Sequence, residues 1–171
     1  MTRQVNYIKP QEGFQMNFLS SPADIVIGGS GAGVGKTFAL LMECLRYTHV
    51  PNFGAQVFRR TTPMITKKGG LWDESFDMYM SLANPPIPIP GKHLYRFPNN
   101  VTIEFSHMQH IKDRLSYQGS QIPLIAWDEL THFEWEQFSY LLSRGRAVCG
   151  VKPYVRATTN PQSSGWVKDF I

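Results

Sequence analysis

The sequence predicts an α/β fold, a central and mainly parallel sheet flanked by helices. Three observations carry that expectation. An apolar run, Ile25-Val26-Ile27, passes through a glycine-rich turn into Gly35-Lys36-Thr37 and then into a segment with helical spacing. A second apolar run, Ile122-Pro123-Leu124-Ile125-Ala126-Trp127, ends in Asp128-Glu129, the pattern of a strand buried on both faces. The length of 171 residues, with 42% hydrophobic and 18% charged, suits one domain with a sizeable core.

The glycine-rich turn, Gly28 to Thr37, has the chemistry of a phosphate-binding loop. Gly31, Gly33, Val34 and Gly35 would turn successive backbone N–H groups inward as an anion nest at a helix N-terminus. Lys36 would reach the β- and γ-phosphates, and the Thr37 hydroxyl would hold Mg²⁺. Counting back from Gly35, the first glycine of the usual spacing falls on Ser30, so the turn is shifted or longer than usual.

Taken in order, the chain begins with a polar segment before the first strand. Gln15, with Gln11 as second choice, could grip an adenine edge through its amide donor and acceptor. The first strand covers about Asp24 to Gly28. A helix should run from Lys36 to about Tyr47, with Phe38, Leu41, Met42 and Leu45 at i, i+3, i+4, i+7. A second strand, Ala55 to Arg59, leads to a helix start with Thr62 as N-cap and Pro63 first in the helix. Lys67-Lys68-Gly69-Gly70 reads as a basic turn and Ser75 to Leu82 as a helix. The proline-rich stretch 84–91 reads as irregular loop. A β-hairpin follows, 95–97 and 101–105 about Pro98-Asn99-Asn100.

At the end of the 122–127 strand, Asp128 would help hold Mg²⁺ through water, and Glu129 would orient the attacking water or take its proton. Joined to Gly-Lys-Thr upstream, the pair marks a P-loop NTPase of the RecA-like division with an additional catalytic glutamate, using ATP and Mg²⁺. Thr131 and Glu134 fit a capping box opening a helix that runs to Arg144. A last strand, Pro153 to Thr158, ends in Thr159-Asn160, polar groups placed to sense the γ-phosphate. Ring ATPases complete such sites with an arginine from a neighbour, and Arg144, Arg146 and Arg114 are the candidates.

The formal net charge is +4. Acids are absent from Cys44 to Trp72 and from Gln137 to Lys168, while Arg46, Arg59, Arg60, Lys67, Lys68, Arg144, Arg146, Lys152, Arg156 and Lys168 fall there. Such stretches suit a polyanion, and Arg59, Arg60, Lys67 and Lys68 are the candidates for duplex DNA. Cys44 and Cys149 lack metal-site spacing and read as reduced thiols. Met1-Thr2-Arg3-Gln4 is no apolar signal core, and no run is long enough to span a bilayer, so no membrane partner is expected.

Residues 14–37, 58–63 (Phe-Arg-Arg-Thr-Thr-Pro), 116–133, 141–146 (Leu-Leu-Ser-Arg-Gly-Arg), 157–161 (Ala-Thr-Thr-Asn-Pro) and 165–171 together resemble the ATPase domain of phage large terminase subunits. The resemblance implies the motor that packages viral DNA: a homo-oligomeric ring around duplex DNA, a portal protein and a small terminase subunit as partners, and work at the procapsid in the host cytoplasm. It makes Thr158, Thr159 and Asn160 a coupling motif. It also implies that residues 1–171 form a single ATPase domain truncated at its C-terminal end, because the acids of the family's nuclease domain are missing after Glu136. The competing reading is a helicase- or recombinase-like ATPase.

Overall fold

The structure is a computed structural model that describes residues 7–162 and 164–171; the Met1–Gln4 stretch read above lies outside them. Helix α1 (Phe14–Ser20) precedes strand β1 (Ile25–Gly29) and helix α2 (Lys36–Cys44). Then come β2 (Gly54–Arg59), α3 (Thr62–Thr66), α4 (Leu71–Met80), β3 (Ile87–Ile89), β4 (Leu94–Phe97) and β5 (Val101–His107). The chain closes with β6 (Leu124–Trp127), α5 (Trp135–Leu142), β7 (Tyr154–Thr159) and α6 (Trp166–Phe170).

Among the described residues the sheet has the order β1-β7-β6-β2-β5-β4-β3. The pairs from β1 to β5 are parallel, and β4 and β3 add an antiparallel edge. Parallel strands send their C-terminal ends to one edge, where α/β sheets bind ligands. That edge gathers Gly29, Arg59, Asp128 and Thr159. β1 and β6 are not neighbours, because β7 lies between them.

Alternation along β6 divides the interior. Leu124 and Ala126 face one core with Leu40, Leu41, Tyr79 and Tyr95, under α1, α2 and α4. Ile125 and Trp127 face a second core with Phe133, Phe138 and Leu141, under α5. Both faces are covered, so β6 reads as an unbroken apolar run. Trp127 is fully buried and stacks on Phe58 at 4.8 Å between centroids.

Several boundaries differ from the sequence reading, each for a local reason. α2 ends at Cys44, and its buried face is Ala39, Leu40, Leu41 and Cys44, leaving Phe38 exposed. Thr61, with extended φ −134°, is the N-cap of α3, so Thr62 is already helical. α4 opens at Leu71, before the Ser75 expected from spacing. Residues 87–89 pair with β4 although the stretch reads as loop; Pro88 is tolerated because an edge strand need not donate on its outer side. Residues 130–132 form a 3₁₀ turn, buried Phe133 runs extended, and the capping box is Glu134–Gln137 instead of Thr131–Glu134. α1, α6 and the 3₁₀ stretch Ile111–Tyr117 are additions to the sequence reading.

Part of the basic charge is used inside the fold. Glu43, fully buried on α2, accepts from Arg46 at 2.7 and 2.8 Å and lies 4.0 Å from Arg156 Nε. Arg156 is itself buried on β7, donates to the carbonyls of Ala23 and Ser21, and has its basicity lowered by that burial. Arg46 and Arg156 therefore balance an interior carboxylate, and the buried Arg156 is withdrawn from any polyanion surface while Arg46 stays exposed. Removing one member of a buried ion cluster strands the others at a cost of about 3–5 kcal/mol. Glu43→Ala should lower the unfolding free energy by that amount in urea titration, with Glu43→Gln losing less because its amide oxygen still accepts from Arg46.

Candidate nucleotide site

The phosphate loop begins later than glycine content suggests. β1 continues through Gly28 and Gly29, which pair with Thr158 and Thr159. Gly28 is glycine for packing: a Cβ there would stand 2.7–2.9 Å from the rings of Phe14 and Phe18. The loop proper is Ser30 to Gly35, which accounts for the apparent extra length. Within it Gly33 (φ 83°) and Gly35 (φ 70°) hold the left-handed conformation that turns N–H groups inward, while Gly31 meets no steric demand. Val34 and Thr37 are half-buried. Lys36 Nζ folds back to donate to the carbonyls of Ser30 (2.7 Å) and Gly31 (2.6 Å).

Gln15 is turned toward the loop. It is buried, its Oε1 accepts from the Gln11 N–H (2.8 Å), and its Nε2 donates to the Gly35 carbonyl (3.2 Å). Both ends of the amide are engaged within the chain, so Gln15 braces the loop here. Its Nε2 would lie 2.3 Å from a Cβ on Gly35, a second reason for glycine there. Gln11 is exposed and takes part through its backbone N–H alone.

The carboxylate of Asp128 is the hub. Strand register sets Phe58 beside Trp127 and Trp127 beside Ala157, so the next residues, Arg59, Asp128 and Thr158, stand side by side. Asp128, 1% exposed, accepts from Thr158 Oγ1 (2.6 Å), from Thr37 Oγ1 (3.2 and 3.3 Å), and from Arg59 through Nε (2.7 Å) and Nη2. Thr37 and Asp128 are hard oxygen donors within reach of one small cation, the set Mg²⁺ takes together with phosphate oxygens and water. Glu129 sits at φ 59°, a conformation that costs a non-glycine residue about 1–3 kcal/mol. Its Oε2 is 3.1 Å from His132 Nδ1 and 3.9 Å from Arg59 Nη1, and its N–H donates to Thr158 Oγ1 at 3.4 Å.

Thr159 and Asn160 lie beside Gly29 in a crevice of about 320 Å³. The larger cavity, about 640 Å³, is at the far edge around Glu43, Arg46 and Arg156, away from the loop and Asp128. Of the finger candidates, Arg114 and Arg144 come together, their guanidiniums 5.8 and 5.0 Å from the Tyr140 ring. The Arg144 carbonyl accepts from the Ile122 N–H, at the start of the β6 run. Six residues of extended chain, about 20 Å, separate that end from Asp128. Arg146 is exposed nearby in sequence.

Two of the DNA candidates are engaged inside. Arg59 is bonded to Asp128, and Arg60 donates to Gln137 Oε1 at 2.9 Å. Lys67 and Lys68 are exposed on their turn. Sequence reasoning also missed Glu74, on the first turn of α4. Its carboxyl is pushed above the ordinary range, first by partial burial and then by the charge of Asp128, with Arg59 pulling the other way.

Residues 27–171 match the family described as terminase large subunit, T4likevirus-type, N-terminal. The chain belongs to that family. It is the N-terminal domain of a terminase large subunit. No curated protein matches the sequence. Among solved structures, the domain is similar to the large terminase ATPase domain of Thermus phage P74-26, with TM-score 0.64, 11% identity and coverage of 96% of this chain and 74% of that one. The bacteriophage HK97 large terminase gives 0.67 and 14%, covering 96% of this chain and 37% of that one. The large terminase of a thermophilic bacteriophage, in complex with ADP, gives 0.59 and 13%, covering 85% and 37%. The chain thus spans little more than a third of the longer relatives.

Glu74 provides a test of the charge balance in this terminase domain. Its folded pKa is raised, so the ionised form is disfavoured in the native state and its contribution to stability falls as pH rises through that value. Glu74→Gln should therefore raise the melting temperature at neutral pH. The gain should vanish below the ordinary value of 4.5, where the acid is protonated in both states. Melting curves from pH 3.5 to 8 check both the sign and the window.

Proposed function

We propose that this domain hydrolyses ATP with Mg²⁺ and couples each turnover to movement of duplex DNA, working in a homo-oligomeric ring. The observation that carries the reading is the contact of Thr37 with Asp128, which joins the phosphate loop to the strand ending in Glu129. The ADP complex of the thermophilic phage relative supports the nucleotide, and family membership supports the motor. A portal protein, a small terminase subunit and the host cytoplasm belong to the same reading.

The chemistry follows from the residues. The loop N–H groups of Gly33 to Lys36 would cradle the phosphates while Lys36 leaves the Ser30 and Gly31 carbonyls for phosphate oxygen. Thr37 and Asp128 would hold Mg²⁺, which when bound neutralises charge on the β- and γ-phosphate oxygens. Glu129 orients a water against the γ-phosphorus and takes its proton as the P–O bond to the β-phosphate breaks, releasing ADP and phosphate. Thr158 pins Asp128 and the Glu129 backbone together. Thr159 and Asn160 continue from it beside the loop, where loss of the γ-phosphate would be felt first. Lys67 and Lys68 are the remaining DNA candidates.

Phosphate release measured with and without duplex DNA tests the reading. Lys36→Ala should lose binding of a fluorescent ATP analogue. Glu129→Gln should bind it yet turn over at least about 100-fold more slowly, since an amide cannot take the proton. Wild-type turnover by Glu129→Gln would remove Glu129 from the role of base.

The finger is tested by mixing. The Arg144 carbonyl accepts from the Ile122 N–H, about 20 Å of strand from Asp128, so Arg144 lies beyond side-chain reach of its own loop, which favours an arginine of this group acting on the next copy. Lys36→Ala has a dead site and an intact finger; Arg114→Ala, Arg144→Ala and Arg146→Ala have the reverse. One of the three should regain activity when mixed with Lys36→Ala, and fingers of this kind raise turnover about 10³- to 10⁵-fold. No recovery with any of them, at concentrations where wild type assembles, would place the finger elsewhere.

A further inference from the structure

Arg59 is the group at this site that hydrolysis as outlined does not use. Its side chain is only 13% exposed, and β2 delivers it to Asp128 by register, with the Asp128 N–H donating to the Phe58 carbonyl at 3.0 Å. Both of its bonds to Asp128 fall on Oδ2, through Nε at 2.7 Å and through Nη2. Thr158 takes Oδ1 at 2.6 Å, and Thr37 stands off both oxygens at 3.2–3.3 Å. The remaining nitrogen, Nη1, is 3.9 Å from Glu129 Oε2. The charge of Arg59 also reaches Glu74, where it opposes the effect of Asp128. One guanidinium therefore bonds Asp128, stands beside Glu129, and occupies the oxygen that a divalent cation beside Thr37 would compete for.

We propose that Arg59 is a metal-gating positioning residue: it holds Asp128 against free divalent cation and closes on Glu129 when nucleotide brings the cation in. The inference rests on the Mg²⁺-dependent reading above. A guanidinium and a dication repel at such range, so a hydrated ion with only Thr37 and Asp128 to bind competes poorly against the positive charge already paired with Asp128. An ion that arrives on phosphate brings further ligands and is retained. Arg59 then gives up Oδ2, and the nearest acceptor for the freed N–H groups is Glu129, already 3.9 Å from Nη1. That contact adds to the one His132 already makes to Oε2 and tightens the base carboxylate only when the site is loaded. A bare cation cannot prime the site, and Glu129, held through Oε2 by His132 at 3.1 Å, gains its second cationic partner only when nucleotide is present.

A purely structural Arg59 and a gating Arg59 move metal affinity in opposite directions. Binding of Mn²⁺ without nucleotide, read by loss of the free-ion EPR signal, separates them in wild type, Arg59→Gln and Arg59→Lys. Arg59→Gln should bind the bare ion about tenfold more tightly than wild type, while its kcat with MgATP falls about 10- to 100-fold. Arg59→Lys keeps the charge but loses the fork, so its Mn²⁺ affinity should stay at the wild-type level with kcat only partly restored. Weaker or unchanged Mn²⁺ binding by Arg59→Gln overturns the gate, and an undiminished kcat overturns the closure on Glu129. If Arg59→Gln proves unfolded by circular dichroism, Arg59→Lys decides alone, and tighter Mn²⁺ binding by it refutes the proposal. Binding of fluorescent ADP by wild type is measured in parallel. Its absence would count against the nucleotide reading, whereas the Mn²⁺ series bears on Arg59 whatever that outcome.

Discussion

The buried carboxylate of Asp128 organises this domain. A nearly dry anion is tolerated only with hydrogen-bonding partners, and Asp128 draws them from three directions: Thr37 on the loop helix, Thr158 on β7 and Arg59 on β2. Each contact ties a separate stretch of chain to the C-terminal edge of β6. The phosphate loop is held from its other side by Gln15, which hydrogen-bonds Gly35 from helix α1. Loop position is thus fixed between two internal contacts, one apolar in surroundings and one ionic. A binding site that must hold several phosphate charges needs that rigidity before ligand arrives.

The site depends on register as much as on residue type. β6 lies between β7 and β2, and all three are parallel, so their last residues reach the same height. A one-residue slip would send Asp128 to the face occupied by Trp127 and bring an aromatic ring to the loop. What prevents the slip is the packing of Trp127 against Phe58, Phe133 and Phe138 on one side and of Leu124 and Ala126 on the other. The second aromatic core therefore has a catalytic consequence although none of its members touches the site.

Much of this is legible in the sequence, and the reason is physical. A strand buried on both faces writes itself as an unbroken apolar run, and a loop that must turn N–H groups inward writes itself in glycine. That is why the 25–37 and 122–129 stretches, and with them Lys36, Thr37, Asp128 and Glu129, stand out. Arg59 reads as a DNA candidate because local composition records charge and not partner. Its partner, 69 residues away, is set by the pairing of β2 with β6. Glu43 with Arg156 is the same case: a buried ion cluster in which neither residue differs on paper from a solvated one. Gln15 stands out in sequence as a special glutamine, but its contact with the loop depends on where α1 lies against Gly28, and only packing decides that.

At the C-terminal edge of the sheet the fold assembles Lys36, Thr37, Asp128 and Glu129. On one face of the sheet α5 and the Ile111–Tyr117 turn bring Arg114 and Arg144 to one aromatic ring, although the whole of β6 and α5 separates them in sequence. Guanidiniums stacked on Tyr140 are presented in a defined direction yet keep N–H groups free for another acceptor. A parallel sheet is stiff along its strands, and the six residues from Ile122 to Asp128 keep the Arg144 backbone, bonded to the Ile122 N–H, about 20 Å from Asp128. No side-chain rotation closes such a distance. Within the proposed ring a copy turned so that its Tyr140 face meets its neighbour's phosphate edge closes it at once, and the same geometry makes the interface heterologous, head to tail, as a closed ring requires.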